Sequence, residues 1–220
     1  MAMNLAHLAR FALPAALVLT VVGCEDPAKN KPVATVSSAA PTPVPDAFPA
    51  GSGETLAVDA ASSSVGFVGS KVTGKHEGKF EKFTGAITLV NGKAEGGRVS
   101  FDADAASVKT DDPQLEVHLK TKDFFDVATF PKVTFTSSEI KAGAAGGATH
   151  TVTGEMSFHG VKKTISFPAT ILVGPEAVTG TAEFVVKRQA FGIVYPGHAD
   201  DAIRDEVVIK LSLKAPRKKG

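Results

Sequence analysis

Six histidines, one cysteine and a scatter of serines and carboxylates are the residues of this 220-residue chain best able to do chemistry. Five of the histidines, at 76, 118, 150, 159 and 198, lie in the region that reads as folded. No two have the i, i+4 or alternate-strand spacing that would turn both imidazoles onto one metal ion. His118 and His159 read instead as polar groups hydrogen-bonded at the ends of elements. Ser62-Ser63-Ser64 and Asp200-Asp201 invite a hydrolase reading, yet no Gly-x-Ser-x-Gly turn presents a serine nucleophile. The expectation is a protein with no catalytic residues, no metal and no cofactor.

The single cysteine points to other chemistry. Residues 1–23 contain no acid, carry Arg10 as their only fixed side-chain charge, and run on as an apolar stretch from Phe11 to Gly23. That is a signal-peptide pattern, too short to span the hydrocarbon core, which takes about 20 apolar residues. Gly23-Cys24 resembles the lipobox of bacterial lipoproteins, in which the cysteine is acylated and becomes the first residue after cleavage. The alternative is an ordinary thiol beside a conventional cleavage site. As the only cysteine, Cys24 cannot form an internal disulfide, and acylation removes a thiol that would be a liability in an oxidising compartment. Several acyl chains, at about 0.8 kcal/mol per buried methylene, make a durable anchor. Glu25 follows where an Asp would favour retention at the inner membrane, so a periplasm-facing place on the outer membrane is expected over the inner one.

Composition sets the remaining limits. Residues 24–53 hold six prolines and no periodic apolar face, and read as a tether without a fold, extended at about 3.1 Å per residue. Residues 54–215 hold 18 Lys/Arg against 20 Asp/Glu, a balance that argues against nucleic acid as partner. The basic tail, 216–220, reads as a solvated end, with contact to anionic headgroups as the alternative. Twelve of the 14 phenylalanines fall in 54–215, beside one Tyr and no Trp, so almost all of the aromatic surface lacks a polar handle.

These residues are carried on strands. Apolar residues recur with a period of two in eight stretches: Val65-Phe67-Gly69, Phe83-Gly85-Ile87-Leu89, Val99-Phe101-Ala103, Val133-Phe135, Val152-Gly154-Met156-Phe158, Ile165-Phe167-Ala169-Ile171, Val178 to Val186, and Val207 to Leu213. Asn91-Gly92, Gly96-Gly97, Gly143 to Gly147, His159-Gly160 and Gly174-Pro175 supply the turns between them. Asp112-Pro113, with Glu116 in the first turn, opens a short helix expected over Pro113 to Phe125. The expected fold class is all-β: an extended antiparallel eight-stranded β-barrel, lipocalin-like, with a short helix inserted. A barrel of that size either fills with side chains or leaves room for one small ligand, and periodicity does not choose.

Several strings, in order, carry a resemblance. They are Leu56-Ala57-Val58-Asp59, Ser63 to Phe67, Gly78 to Gly85, His118-Leu119-Lys120-Thr121-Lys122-Asp123-Phe124-Phe125-Asp126-Val127, Phe130 to Phe135, Thr153 to Lys163, Phe191-Gly192 and Asp205-Glu206-Val207. Residues 54–215 resemble the YceI-like lipid/polyisoprenoid-binding family. The likeness implies a lipocalin-like barrel whose apolar interior binds a long isoprenoid or quinone-like chain, usually in the periplasm, without catalytic residues. One departure is Ser70-Lys71-Val72-Thr73-Gly74-Lys75-His76, where many members carry a Lys-His pair and an apolar residue after the first long strand.

The expected ligand-binding wall is Val65, Phe67, Phe83, Ile87, Val99, Phe101, Val133, Phe135, Met156, Phe158, Ile165, Phe167, Phe184 and Phe191. Leu119, Phe124, Phe125 and Phe130 are expected to contact the ligand too, the three aromatics as a cap over one barrel end; the alternative for them is plain packing of helix on barrel. Burial alone, at about 25 cal/mol per Å², can hold a polyisoprenoid or other lipid there, with the membrane reached through acylated Cys24. The alternative is a tethered interaction module whose barrel core is filled and which works through its outer face.

Overall fold

The computed structural model describes residues 26–37 and 53–217; Cys24, the apolar leader and residues 38–52 lie outside them. In chain order the strands are β1 (Thr35–Ser37), β2 (Gly53–Ala57), β3 (Ser64–Ser70), β4 (Lys75–Phe80), β5 (Phe83–Val90), β6 (Lys93–Asp104) and β7 (Val108–Thr110). Helix α1 (Pro113–Leu119) follows, then β8 (Lys132–Ala142), β9 (His150–Phe158), β10 (Val161–Val173) and β11 (Ala177–Lys187). A 3-10 turn (Arg188–Phe191) and the two-residue strands β12 (Gly197–His198) and β13 (Asp201–Ala202) lead to β14 (Glu206–Pro216).

One antiparallel sheet, ordered β2-β5-β6-β8-β9-β10-β11-β14-β3-β4-β7, curls round on itself. Near the closure the Asp59 N–H donates to the Lys214 carbonyl (2.8 Å), and Arg217 pairs with Glu54 (2.9 Å). The all-β, lipocalin-like architecture stands, and each of the eight expected inward rows lies in a strand. The strand number is larger. β4 escapes the two-residue pattern because Lys75-His76-Glu77-Gly78-Lys79-Phe80 offers a single large apolar residue. At Gly78 the Phe67 ring from β3 occupies the space that a side chain would take, so an inward position carries no hydrophobic signal.

Three further expectations change. The helix stops at Leu119, not Phe125: its amino end is capped as expected, with the Asp112 carboxylate accepting from the Gln114 and Leu115 N–H groups. Beyond it the Phe124 N–H returns to the Thr121 carbonyl, the Phe125 N–H to Leu119, and Asp126 takes a left-handed conformation. Gly96-Gly97 is no turn but an irregularity inside β6, where the register with β5 shifts. A side chain at Gly97 would strike the Thr88 carbonyl, so glycine is what lets the two strands approach there.

Residues 26–37 are not a free tether. Val33 bridges Val185 in parallel, and Thr35, Val36 and Ser37 pair with Ser166, Ile165 and Thr164 of β10. Ala34 is buried in the main core, and Ala28 packs on a small outer cluster of Val68, Val185 and Val208. Strands β3, β11 and β14 are thus buried on both faces at this level. That is why apolar residues stand next to one another at Phe67-Val68, Phe184-Val185-Val186 and Val207-Val208.

Candidate functional site

Inside the barrel the rings are arranged in two groups. Phe101, Phe135, Phe167 and Phe184 form a chain of contacts across the interior, with centroid separations of 5.9, 5.5 and 4.1 Å; the last pair is stacked at 11°. Each such pair contributes about 0.5–1.5 kcal/mol beyond its burial. Nearer the end that carries α1, Phe125 lies 6.1 Å from Phe67, 6.0 Å from Phe80 and 5.0 Å from Phe158. A cavity of about 130 Å³ lies among this second group, and a void of about 40 Å³ lies toward the other end, with Phe101 lining both.

Val65, Phe67, Phe101, Leu119, Phe124, Phe125, Val133, Met156, Phe158 and Phe191 line the larger cavity. Ile87, Val99, Phe135 and Phe167 line the smaller void instead. Ile165 and Phe184 are buried in the wall but line neither, because Phe184 lies flat against Phe167. Phe83 is half-buried at the rim, beside Pro131 and Lys132, and faces an outer hollow. Phe130 sits outside, its ring against His159 (5.1 Å) and over Gly160, where a side chain would collide with it. Neither residue lines the cavity or the void: Phe83 packs on the edge of the core, and Phe130 lies outside it.

At the α1 end the cavity wall includes a charge. Arg188 is buried, and its guanidinium donates to three backbone carbonyls: Nε to Arg204 (3.0 Å), Nη1 to Ile193 (2.7 Å) and Nη2 to Ile203 (3.1 Å). Burial pushes its pKa down, and the charge of Asp205 works the other way. The group pins the loop after β11 to the segment before β14. Arg204 also lines the cavity, and on its far side borders a polar pocket of about 130 Å³ with Asp26, Ser70, Lys71 and Lys75. The buried Ser70 hydroxyl and the Arg204 Nε have no hydrogen-bond partner there. Above the cavity, His118 on α1 bonds Asp123 (2.8 Å), and its ring packs on Phe124 (4.9 Å) and Tyr195 (5.1 Å). The cavity surface is wholly apolar, which suits a hydrocarbon chain. Among the described residues no group of three His, Cys, Asp or Glu side chains converges to hold a metal ion.

Residues 56–215 match the YceI-like domain. The chain belongs to the YceI-like family. A UPF0312 protein of Pseudomonas fluorescens is 31% identical over 132 residues, covering 57% of this chain and 68% of its own length. Among solved structures, Burkholderia cenocepacia BcnA is similar with a TM-score of 0.63 and 32% identity, over 72% of this chain and 99% of that one. A polyisoprenoid binding domain from Saccharophagus degradans, implicated in plant cell wall breakdown, has a TM-score of 0.58 at 18% identity, over 74% and 98% of the two chains. At that identity the likeness speaks for the shared fold.

The YceI-like domain also uses residues that the sequence reading did not assign to the site. Phe80, Val186, Arg188, Ile193, Ile203, Arg204, Val207 and Ile209 all line the cavity. Arg188 had a usable signal: continuing the two-residue period of Val178 to Val186 by one step places position 188 on the inner face. Phe80 falls on the inner face of β4 in the same way. Ile193, Ile203 and Arg204 come from irregular segments with no period to read.

Proposed function

We propose that this protein is a membrane-tethered, periplasm-facing lipid-binding protein that holds a polyisoprenoid or quinone-like chain in its barrel, as a carrier or store. The observation that carries the reading is the cavity: it lies among aromatic and aliphatic side chains and its surface is wholly apolar. Burial of apolar surface binds the chain. The YceI-like family, and a structural relative described as a polyisoprenoid binding domain, support a lipid of isoprenoid type. Cys24, acylated, supplies the anchor, with the outer membrane favoured by Glu25.

A second reading has its own observation. Binding pockets for small molecules commonly have volumes of about 300–1,000 Å³, and this cavity has about 130 Å³ because the four-ring chain fills the middle of the barrel. A tethered interaction module with a filled core fits that volume. Holding a long chain requires side chains or backbone to give way. Native mass spectrometry and lipid extraction of the protein carrying Cys24→Ser separate the two: a co-purifying or added isoprenoid that stays bound supports the carrier. No bound lipid under either condition rejects it. The same variant tests the anchor, which is rejected if the unacylated protein still partitions with membranes.

A further inference from the structure

The barrel wall has a seam. β10 and β11 pair only from Thr170↔Thr181 to Val173↔Val178, whereas β10 holds β9 over nine residue pairs and β11 holds β14 over eleven. The fork opens next to Pro168, which has no N–H to give to a ladder. Below it the two strands diverge, and the chain's own residues 32–37 fill the gap. The Ala34 N–H donates to the Val185 carbonyl (2.8 Å) and the Val185 N–H to Pro32 (2.8 Å), while β1 pairs antiparallel with β10. From this inserted segment Ala34 is buried in the core and Val36 packs partly against it.

On the β11 bank of the seam stands Val186, which lines the cavity. The ends of the barrel are better closed. Leu119, Phe124, Phe125 and the Arg188-pinned loop cover one, and buried Leu89, Ala94 and Ile140 fill the other. The side chains that the inserted segment buries are small or only partly covered, Ala34, Val36 and Ala28, and its ion pairs, Lys31 with Glu183 and Asp26 with Arg204, lie at the surface. The fit along the seam is imperfect, because the Thr164 hydroxyl is buried there without a partner.

We propose that residues 32–37 are a removable stave, and that the seam between β10 and β11 is the port through which an apolar chain reaches the cavity from the side. The inference rests on the lipid-binding reading above. A lateral port lets a long chain lie into the barrel along its length, without threading past the aromatic lid. It also places the moving element directly after Cys24, so the anchored end of the protein and the port are one continuous stretch of chain.

The test staples the stave. In Thr35→Cys/Ser166→Cys/Cys24→Ser the new cysteines are register partners on adjacent antiparallel strands, where Cα atoms stand about 4.5–5.5 Å apart, within disulfide reach. Uptake of all-trans-retinol, a fluorescent isoprenoid alcohol, is followed by stopped flow in the oxidised and reduced forms of the same protein. Oxidation should slow uptake at least tenfold, and reduction should restore it. Glu183→Lys sets a like charge against Lys31 on the outer surface and should quicken uptake at least twofold. Equal rates in the oxidised and reduced protein, or in Glu183→Lys and its parent, overturn the port while leaving lipid binding intact. If the parent takes up no retinol at equilibrium, the binding function itself fails, and the port with it.

Discussion

Phe101 separates the cavity from the smaller void, so Phe101→Ala should join spaces of about 130 and 40 Å³ and add the room of the ring itself. That ring occupies roughly 100–150 Å³, by comparison with cavities that accept benzene. At about 24 cal/mol per Å³ of residual cavity the loss is about 2.4–3.6 kcal/mol. Because Phe101 is only partly buried, its transfer term adds about 1 kcal/mol at most. A total of about 3–4 kcal/mol leaves a domain of ordinary stability folded, and urea unfolding with an unchanged m-value measures it. The same space admits about four more methylene groups at about 0.8 kcal/mol each, which raises affinity for a longer chain by about two orders of magnitude. Titrating parent and variant with isoprenoid alcohols of increasing length should show the gain only beyond the length that the parent already fills. A loss of stability with no change in chain-length preference would refute the reasoning, since it would mean that the two voids do not form one ligand path.

Arg188→Met should destabilise the fold by about 3 kcal/mol, because three carbonyls lose a charged donor; urea unfolding checks this, and Arg188→Lys should recover part of the loss. Asp112→Ala removes the cap of α1 and should cost about 1 kcal/mol, read as faster amide exchange in Pro113–Leu119. Glu116 ties α1 to β7 through Lys109 (2.8 Å), and that hydrogen bond is the main cause holding its carboxyl below the usual glutamate range. A carboxyl lowered in the folded state stabilises above its unfolded pKa, about 4.3, and the stabilisation fades as pH falls through the lower folded value. Between about pH 5 and pH 3 the urea midpoint should therefore fall less steeply in Lys109→Met than in the parent.

Positions inside regular strands were legible because a buried face imposes a period of two, and Val65, Met156 and Phe158 were found that way. The same rule fails where the inner position is taken by a neighbour's ring, as at Gly78 under Phe67, so β4 went unread. It also loses force at element ends: Phe83 keeps the inward parity but reaches only the edge of the core, and Phe130, before β8 begins, packs outside on His159. Arg188 keeps the right parity, but a charged side chain carries no hydrophobic signal. The seating of residues 26–37 left its trace in the wrong place. Their own sequence, rich in Pro, Ala and polar residues, reads as linker, while the signal lies about 150 residues on, in the adjacent valines that need a cover on their outer face.

The pairing of Val33 with Val185 also orders events in time. Residues 32–37 find their partners only when β10 and β11, far along the chain, exist. Such distant pairing in sequence slows folding, because the intervening loop must close before the contact rewards it. A chain still lacking its final third has no place to put residues 32–37.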